Sequence, residues 1–345
     1  MRVLVAMSGG VDSSVAAAMV RAEGHEVVGV TLKLWGGVQD SGCCSVGDVE
    51  DARRVAQQLG LVHHVFNFTD DFEASVVQPY TSAHAQGRTP NPCIECNRHL
   101  KFDRLLARAL ELGFDAVATG HHARVEWAGG QWRLRRGLDE AKDQSYVLHM
   151  LGQQQLARLR FPVGVLTKAE VRAYAAALGL RTADKAESQD TCFITASGGR
   201  PAFLGSRIDL HAGRLVDGAG VEVGAVPAVE LVTVGQRRGL GLASGGARRY
   251  ALAVDVAAGQ VTVGPESALR HERVDVGNWS WVADPPPAGT EVAVQMSAHG
   301  RPVRATTDAA GLRWAAPQKR VAPGQAVVLY DAATATEVLG GGEAA

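Results

Sequence analysis

The stretch AMSGGVDSS, residues 6–14, decides the fold of this chain. It follows a short apolar run, residues 3–6, that is typical of a buried strand. Small and apolar residues then recur at helical spacing over residues 12–22, and Gly24 ends this pattern. Glycines allow a tight turn that brings N–H groups close to an anion, and the helix adds its positive N-terminal end. The sequence therefore predicts a strand, an anion-binding loop and a helix.

The composition of the loop indicates which anion it binds. It has neither the Gly-Lys-[Ser/Thr] ending of a Walker loop nor the GxGxxG spacing of a dinucleotide fold. A phosphate cradle without that lysine suits an enzyme that transfers AMP to an oxygen and releases pyrophosphate, and the string resembles the pyrophosphatase-loop ATPases. Ser8, Ser13 and Ser14 offer hydroxyl donors, and Asp12 can help to hold Mg²⁺. A plain capped turn is the alternative.

Outward from the loop, the pattern predicts an α/β domain followed by β-rich domains. Up to about residue 190, strands at 27–32, 62–66 and 115–119 alternate with helices at 49–59, 72–84 and 99–112, which predicts a parallel sheet. Residues 86–97 read as an irregular, functional loop. Later apolar runs at 231–234, 250–254 and 260–263 predict short strands, and the final GGGEAA predicts a frayed tail. We expect domains at 1–204, 205–269 and 270–345.

Length and charge limit the class of protein. The 345 residues suggest two or three domains, and the net charge of −1 means that a polyanion would need a local basic patch. There is no apolar run near the roughly 20 residues of a membrane helix. The start MRVLVAMSGG leaves no room for a signal peptide, so we expect a cytoplasmic protein.

The five cysteines allow three interpretations. Cys93 and Cys96 form a Cys-x-x-Cys motif, and Cys192 lies far downstream. The motif could be half of a zinc site, a dithiol redox centre, or the source of a nucleophile that works with Cys192. Cys43 and Cys44 are expected to be inert thiols.

Several long motifs then carry a family resemblance over nearly the whole chain. With the glycine loop, GRTPNPCIECNRHLKFD, ATGHHAR, KDQSYVL, ESQDTCFI, VGQRRGL and PGQAVVLYD resemble the tRNA-specific 2-thiouridylases. The resemblance implies an α/β fold: a parallel-sheet adenine-nucleotide alpha-hydrolase-like domain, then two small mostly-β domains, the last barrel-like. It implies ATP-dependent adenylation of the C2 oxygen of the wobble uridine and its replacement by persulfide sulfur. It also implies tRNA as partner, with a sulfur-relay protein or cysteine desulfurase as donor.

The same resemblance assigns roles to individual residues. Cys96 would be the nucleophile and Cys192 the persulfide carrier, with a Cys96–Cys192 disulfide as the product of one turnover. The residues expected to bind ATP are Ala6, Met7, Ser8, Gly9, Gly10, Val11, Asp12, Ser13, Leu32 and Gly120. Those expected to contact the target base or the rest of the tRNA are Asn91, Pro92, Cys93, His121, Lys142, Asp143, Gln144 and Gln325.

The chain departs from the family pattern at two places. Some members carry Asp where this chain has Cys93, so Cys93 could compete with Cys96 as the nucleophile. Many relatives have an Arg-Tyr pair where this chain has Ser297-Ala298, which puts a tRNA contact there in doubt. Two other functions stay open: an adenylating ligase or amidotransferase that acts on a small metabolite, and a non-catalytic RNA-binding protein.

Three groups of histidines and arginines could lie on the protein surface. The pair His121 and His122 reads by default as solvated, although its place after Gly120 favours function. The alternating arginines at 133, 135 and 136 could be a plain solvent face, whereas Arg237-Arg238, between glycines, suits a phosphate contact.

Overall fold

The computed structural model describes residues 1–35, 45–186, 192–194, 198–241 and 248–345. The predictions for Cys43 and Cys44 therefore lie outside the described residues. Within them, no helix is both long and apolar enough to cross a membrane.

The first part of the chain alternates strands and helices, as the sequence predicts. Its elements are β1 (Arg2–Ala6), α1 (Val11–Ala22), β2 (Glu26–Lys33), α2 (Val46–Gln58), β3 (Val62–Asn67), α3 (Thr69–Phe72), a π-helical turn (Glu73–Val77), α4 (Gln78–Ala85), α5 (Pro92–Glu95), a π-helix (Cys96–Arg104), α6 (Leu105–Glu111), β4 (Ala116–Thr119), β5 (Ala123–Ala128), β6 (Gln131–Arg136), α7 (Gln153–Leu156), β7 (Leu159–Arg160), α8 (Lys168–Ala177) and α9 (Gly199–Gly205).

Five of these strands form the predicted parallel sheet. Their order is β3-β2-β1-β4-β7, so the chain leaves β1 for one side of the sheet and returns to its other side at β4. Such a switch point opens a crevice at the carboxyl ends of the two strands. Val3, Val5 and Val15 are fully buried on one face of this sheet. The glycine loop follows β1 and therefore lies at the crevice.

The sequence predicts an irregular loop at residues 86–97, but the cysteine motif within this range is helical. A helical segment begins at Pro92 and runs through the π-helix to Glu111. Asn91 caps it, because its Oδ1 accepts a hydrogen bond from the N–H of Cys93 at 3.0 Å, and proline suits the first helical position. Cys93 therefore lies in the first turn of a helical segment, and Cys96 is the first residue of its π-helical part.

The arginines of β6 do not form a plain solvent face. The hairpin β5–β6 projects from the first domain and pairs with the last strand of the chain, Arg135 opposite Glu337. Arg133 and Arg135 both pair with Glu337, while Arg136 bonds Asp143 at 2.6 Å. These charges are held between two parts of the molecule.

The second half of the chain is β-rich, as predicted. A four-stranded sheet, β10-β11-β8-β9, precedes an antiparallel barrel of β12-β15-β14-β13-β16-β17, which β12 and β17 close. The strand predicted at 231–234 is wrong. A 3₁₀ turn (Val229–Leu231) occupies its start, and Val232, which follows the turn, is buried but belongs to no strand. The strands are β8 (Gly213–Val216), β9 (Glu222–Val226), β10 (Tyr250–Asp255), β11 (Gln260–Gly264), β12 (Arg270–Trp281), β13 (Glu291–Gln295), β14 (Val303–Thr307), β15 (Gly311–Lys319), β16 (Ala326–Asp331) and β17 (Glu337–Ala344).

The C-terminal GGGEAA is not a frayed tail. It forms most of β17, which pairs with β16 and with β12. A Cβ atom at Gly340 would lie 2.4 Å from the carbonyl oxygen of Ser280, and one at Gly342 would lie 2.5 Å from that of Gly277. The glycines are therefore required because β12 and β17 approach each other closely. From composition alone, the same glycines indicate a flexible end.

Candidate active site at the ends of strands β1 and β4

A cavity of about 390 Å³ opens at the switch point of the parallel sheet. It brings together the glycine loop, both ends of the cysteine motif, Cys192 and four lysines. The residues that line it and bear on function are Ala6, Met7, Ser8, Gly10, Val11, Asp12, Ser13, Leu32, Asp48, Pro92, Cys93, Cys96, Lys101, Gly120, His121, His122, Lys142, Gln144, Lys168, Lys185 and Cys192.

Two glycines allow this cavity to form. Gly9 has a φ of +75°, and a Cβ atom there would lie 2.2 Å from the carbonyl oxygen of Asp48. At Gly120 a Cβ would lie 2.6 Å from the backbone nitrogen of Ser13. The loop thus packs directly on α2 and on the end of β4, so that side chains at either glycine would displace it.

The loop is shaped by its own serines. The hydroxyl of Ser13 accepts a hydrogen bond from the N–H of Ser8 at 3.1 Å and donates one to the carbonyl oxygen of Gly10 at 3.1 Å. Ser14 donates to the same carbonyl oxygen at 2.8 Å. These contacts fix the curvature that points backbone N–H groups at an anion.

A lysine and a histidine meet at Asp12, the second residue of α1. The Nζ of Lys168 lies 2.7 Å from each carboxylate oxygen of Asp12, and the Nε2 of His122 lies 3.2 Å from Oδ1. Burial raises the pKa of Asp12, but the contacts with His122 and Lys168 outweigh it, so the net pKa is lowered. Asp12 is therefore an anion that holds Lys168 at the phosphate loop.

A second lysine ties the loop to α2. The Nζ of Lys185 donates to the carbonyl oxygen of Gly9 at 3.0 Å and pairs with Asp48 and Asp51 at 2.7 Å each. Burial lowers the pKa of Lys185, but these carboxylates outweigh it and raise the net pKa, so the ammonium stays charged.

Sequence reasoning missed Lys168 and Lys185. One local signal was present: Thr167 and Glu170 form a capping box, which marks Lys168 as the first residue of a helix. Nothing in the local sequence links that helix start, 156 positions downstream, to Asp12.

The histidine pair is buried, which corrects the default expectation of a solvated pair. His121 donates to or accepts from the hydroxyl of Thr119 at 2.6 Å, and burial lowers the pKa of His121 well below its usual value. His122 is 3% exposed, and its Nδ1 is buried with no hydrogen-bond partner among the described residues. Both side chains line the cavity instead of facing bulk solvent.

Among the residues that the structure describes, three cysteines line the same cavity, from two segments of the chain. Cys93 is exposed, Cys96 is buried and Cys192 is half-buried. Phe193, next to Cys192, packs against Phe72 and Tyr80 with ring centroids 5.6 Å apart in each case. An aromatic cluster therefore anchors the Cys192 segment beside the cysteine helix.

Other residues with predicted roles lie at or outside the cavity wall. Pro92, Lys142 and Gln144 line it, whereas Asn91 caps the cysteine helix. Asp143 points away to Arg136, and the Nε2 of Gln325 donates to the carbonyl oxygen of Thr89 at 2.5 Å. Their tRNA contacts stay predictions.

The sites that the family pattern leaves in doubt are on the surface. Ser297 and Ala298 are exposed after β13, where their carbonyl oxygens accept hydrogen bonds from Gln295. Arg237 and Arg238 are exposed in the central domain.

The cavity offers limited metal-binding capacity. No cluster of three or more His, Cys, Asp or Glu side chains suited to a metal occurs in the part of the chain that the structure describes. Asp12 and Asp48 supply carboxylate oxygens to the cavity wall, and each is paired with a lysine. A half zinc site at Cys93 and Cys96 therefore gains no further ligands from the described residues.

Comparisons with known proteins cover the whole chain. The family model described as "tRNA methyl transferase HUP domain" matches residues 1–196, and the "Aminomethyltransferase beta-barrel domain" matches 271–343. A protein of Roseiflexus castenholzii named "tRNA-specific 2-thiouridylase MnmA" is 48% identical, over 100% of this chain and 99% of its own. The protein of the same name from Mycolicibacterium gilvum is 46% identical, over 96% and 95%.

A solved structure gives a more distant likeness. A complex of a 4-thiouridine synthetase with RNA and bound ATP is 20% identical, covers 56% of this chain and 44% of its own, and has a TM-score of 0.38.

Proposed function

The chain belongs to the tRNA-specific 2-thiouridylase family, and from this premise we propose that it uses ATP to replace the C2 oxygen of a tRNA uridine with sulfur. The N-terminal family model is described as a methyltransferase domain, whereas the full-length relatives are named thiouridylases. The residues of the cavity favour the second description, because a phosphate loop and paired thiols are the requirements of ATP-dependent sulfur transfer.

One observation carries the proposal: the phosphate loop, Cys96 and Cys192 line a single cavity although they come from three distant segments. An enzyme that only adenylates its substrate needs the loop and not the thiols. Sulfur insertion needs an activated oxygen and two thiols within reach of it.

The first step would be adenylation. The C2 oxygen of the uridine attacks the α-phosphorus of ATP, the bond to the β-phosphate breaks, and the N3 proton is lost. ATP would bind with its phosphates on residues 6–13 and its adenine side near Leu32 and Gly120. Lys168 and Lys185 stand at this loop as fixed cations, which favours departure of the pyrophosphate anion.

The second step would be sulfur transfer. The terminal sulfur of a Cys192 persulfide attacks C2, and AMP leaves with the former C2 oxygen. The Cys96 thiolate then attacks the Sγ of Cys192, which breaks the persulfide S–S bond. The products are 2-thiouridine and a Cys96–Cys192 disulfide, so the two electrons that reduce the transferred sulfur come from the two thiols.

We further propose that Mg²⁺ accompanies ATP. Magnesium is commonly held by one or two carboxylates together with substrate phosphates, and Asp12 has oxygen ligands of the right type at the start of α1. When bound, the ion would neutralise phosphate charge.

The remaining contacts would be made by tRNA and a sulfur donor. Asn91, Pro92 and Cys93 lie at the start of the cysteine helix, and a base flipped out of its stack would lie against them. His121, Lys142, Asp143, Gln144 and Gln325 are the further candidates for tRNA contact. A cysteine desulfurase or a sulfur-relay protein would load Cys192, and the tRNA substrate would place the reaction in the cytoplasm.

The test is a reconstituted reaction. Purified protein, unmodified tRNA, radiolabelled ATP and a persulfide donor should yield AMP, pyrophosphate and 2-thiouridine in the digested tRNA. Cys192→Ser should still release pyrophosphate and form no 2-thiouridine. AMP release at full rate without tRNA, in the presence of a small carboxylate or amide, would instead support a metabolite ligase or amidotransferase and contradict the proposal.

A further inference from the structure

A third thiol stands in the cavity beside the two that the proposed reaction uses. Cys93 lines the same wall as Cys96 and Cys192, and it differs from them in being exposed. Cys96 is only 8% exposed, and Cys192 is half-buried against the aromatic cluster. An external reductant can therefore reach Cys93 more readily than Cys96.

The helix places Cys93 and Cys96 on one face. They are three positions apart, Cys93 in the first turn of the helical segment and Cys96 at the start of its π-helical part, and residues at this spacing are neighbours on a helix surface. The Asn91 cap fixes the backbone at Cys93. A Cys-x-x-Cys motif that opens a helix is a geometry that supports reversible disulfide exchange.

The proposed function leaves Cys96 in a disulfide that must be opened before the next turnover. We propose that Cys93 is the resolving thiol of the cycle: its thiolate attacks the Sγ of Cys96 and releases Cys192. This inference rests on the proposed function. One S–S bond breaks and one forms, so the step involves no net redox change, and the electron pair of the broken bond leaves on the Cys192 sulfur as a thiolate.

The exchange regenerates the persulfide carrier. Cys192 is again a thiolate that can accept a sulfur atom from the donor, while the oxidised pair moves to Cys93 and Cys96. An external dithiol then reduces the Cys93–Cys96 disulfide by attack on the exposed Cys93 sulfur and is itself oxidised to a disulfide. The buried Cys96 never needs to meet that reductant directly.

The experiment separates one turnover from many. Cys93→Ser is compared with the wild type after loading Cys192 with persulfide sulfur, first with enzyme in excess over tRNA and then with tRNA in excess and a limiting dithiol. We expect the steady-state rate of Cys93→Ser to fall at least tenfold further below the wild type than its single-turnover rate does, because only repeated turnover needs the disulfide at Cys96 to be opened. This ratio also removes any loss that comes from a weaker contact of residue 93 with the target base. Cys93→Ala serves as the matched second variant, and thermal melting checks that both fold.

Mass spectrometry of the alkylated protein identifies the disulfide after one turnover. The wild type should contain Cys93–Cys96, and Cys93→Ser should contain Cys96–Cys192. A steady-state rate that falls only in proportion to the single-turnover rate, a wild type that retains only Cys96–Cys192, or loss of the single turnover in both variants would overturn the proposal. Failure of the wild type to thiolate tRNA at all would overturn the proposed function itself, which the single-turnover arm reports separately.

Discussion

Replacement of Lys168 by methionine tests whether a distant lysine does the work of the lysine that the glycine loop lacks. The side chain is 12% exposed, and its Nζ lies 2.7 Å from both oxygens of Asp12 at the start of α1. Methionine keeps most of the length and the apolar stem and removes the charge. We expect Lys168→Met to lower kcat/KM for ATP and to leave the protein folded.

The expected loss of kcat/KM follows from the hydrogen bond that Lys168 would donate to a bound phosphate and that methionine cannot make. A hydrogen bond to a charged group contributes about 1.5–3 kcal/mol, and each 1.36 kcal/mol is about tenfold in rate. Because Lys168 is shielded from water, the full range applies, and kcat/KM for ATP should fall by roughly 10- to 150-fold. Lys168→Arg keeps the charge and should recover part of this loss.

The assay is tRNA-dependent pyrophosphate release at varied ATP concentration, with tRNA binding measured separately. Lys33→Met is the matched control, because Lys33 is exposed at the end of β2 and does not line the cavity. A Lys168→Met enzyme with kcat/KM for ATP within twofold of the wild type would refute a phosphate role. An equal loss in the Lys33 control would show that general charge, not position, matters.

Three further predictions concern the glycine loop, a buried ion pair and a buried histidine. Gly9→Ala should lower ATP-dependent activity at least tenfold, since its Cβ would lie 2.2 Å from the Asp48 carbonyl oxygen; Gly218→Ala, in open space, is the control for activity and melting. Arg136→Met should cost about 3 kcal/mol of unfolding free energy in urea, the lower end of the range for breaking a buried ion pair, because Asp143 loses its cation but keeps hydrogen bonds from Gly137 and Ser145. The exposed control Arg53→Met should cost little. Burial lowers the pKa of His149 from 6.5 to about 4, so only the unfolded chain takes up a proton between these values. Unfolding free energy should therefore fall as pH drops from 6.5, by roughly 2 kcal/mol at pH 5, and His149→Gln should flatten that slope.

The sequence predicted those parts of the molecule whose signals are local. The glycine loop, four of the five strands of the parallel sheet and α1 each show their pattern within a few residues, whereas the two-residue strand β7 is too short to show one. The family resemblance added the barrel, which no short-range pattern carries, and the pairing of Cys96 with Cys192, which stays a prediction. Neither the local patterns nor the family resemblance predicted a role for Lys168 or Lys185. An isolated lysine in a sequence is interpreted as a solvated charge, and only the fold places these two against Asp12 and Asp48.

Errors arose where one composition serves two physical roles. Glycines mark flexible ends and also the closest backbone contacts, and β17 uses them in the second way. Proline and asparagine mark loops and also begin helices, and Asn91 and Pro92 do the latter. Only the surrounding structure distinguishes the two roles, through a carbonyl 2.4 Å from a would-be Cβ or a capping hydrogen bond at 3.0 Å.

The C-terminal barrel contacts the segment that precedes the cysteine helix. The turn before β16 holds the segment that leads into the cysteine helix: the N–H of Thr89 donates to the carbonyl oxygen of Pro323 at 2.8 Å, and Gln325 donates to the carbonyl oxygen of Thr89. Arg88 pairs with Glu343, a residue of β17, at 2.9 Å. The closing strand of the barrel therefore braces the start of the helix that carries Cys93 and Cys96. The barrel and the segment that carries Cys93 and Cys96 are thus joined by direct hydrogen bonds and an ion pair.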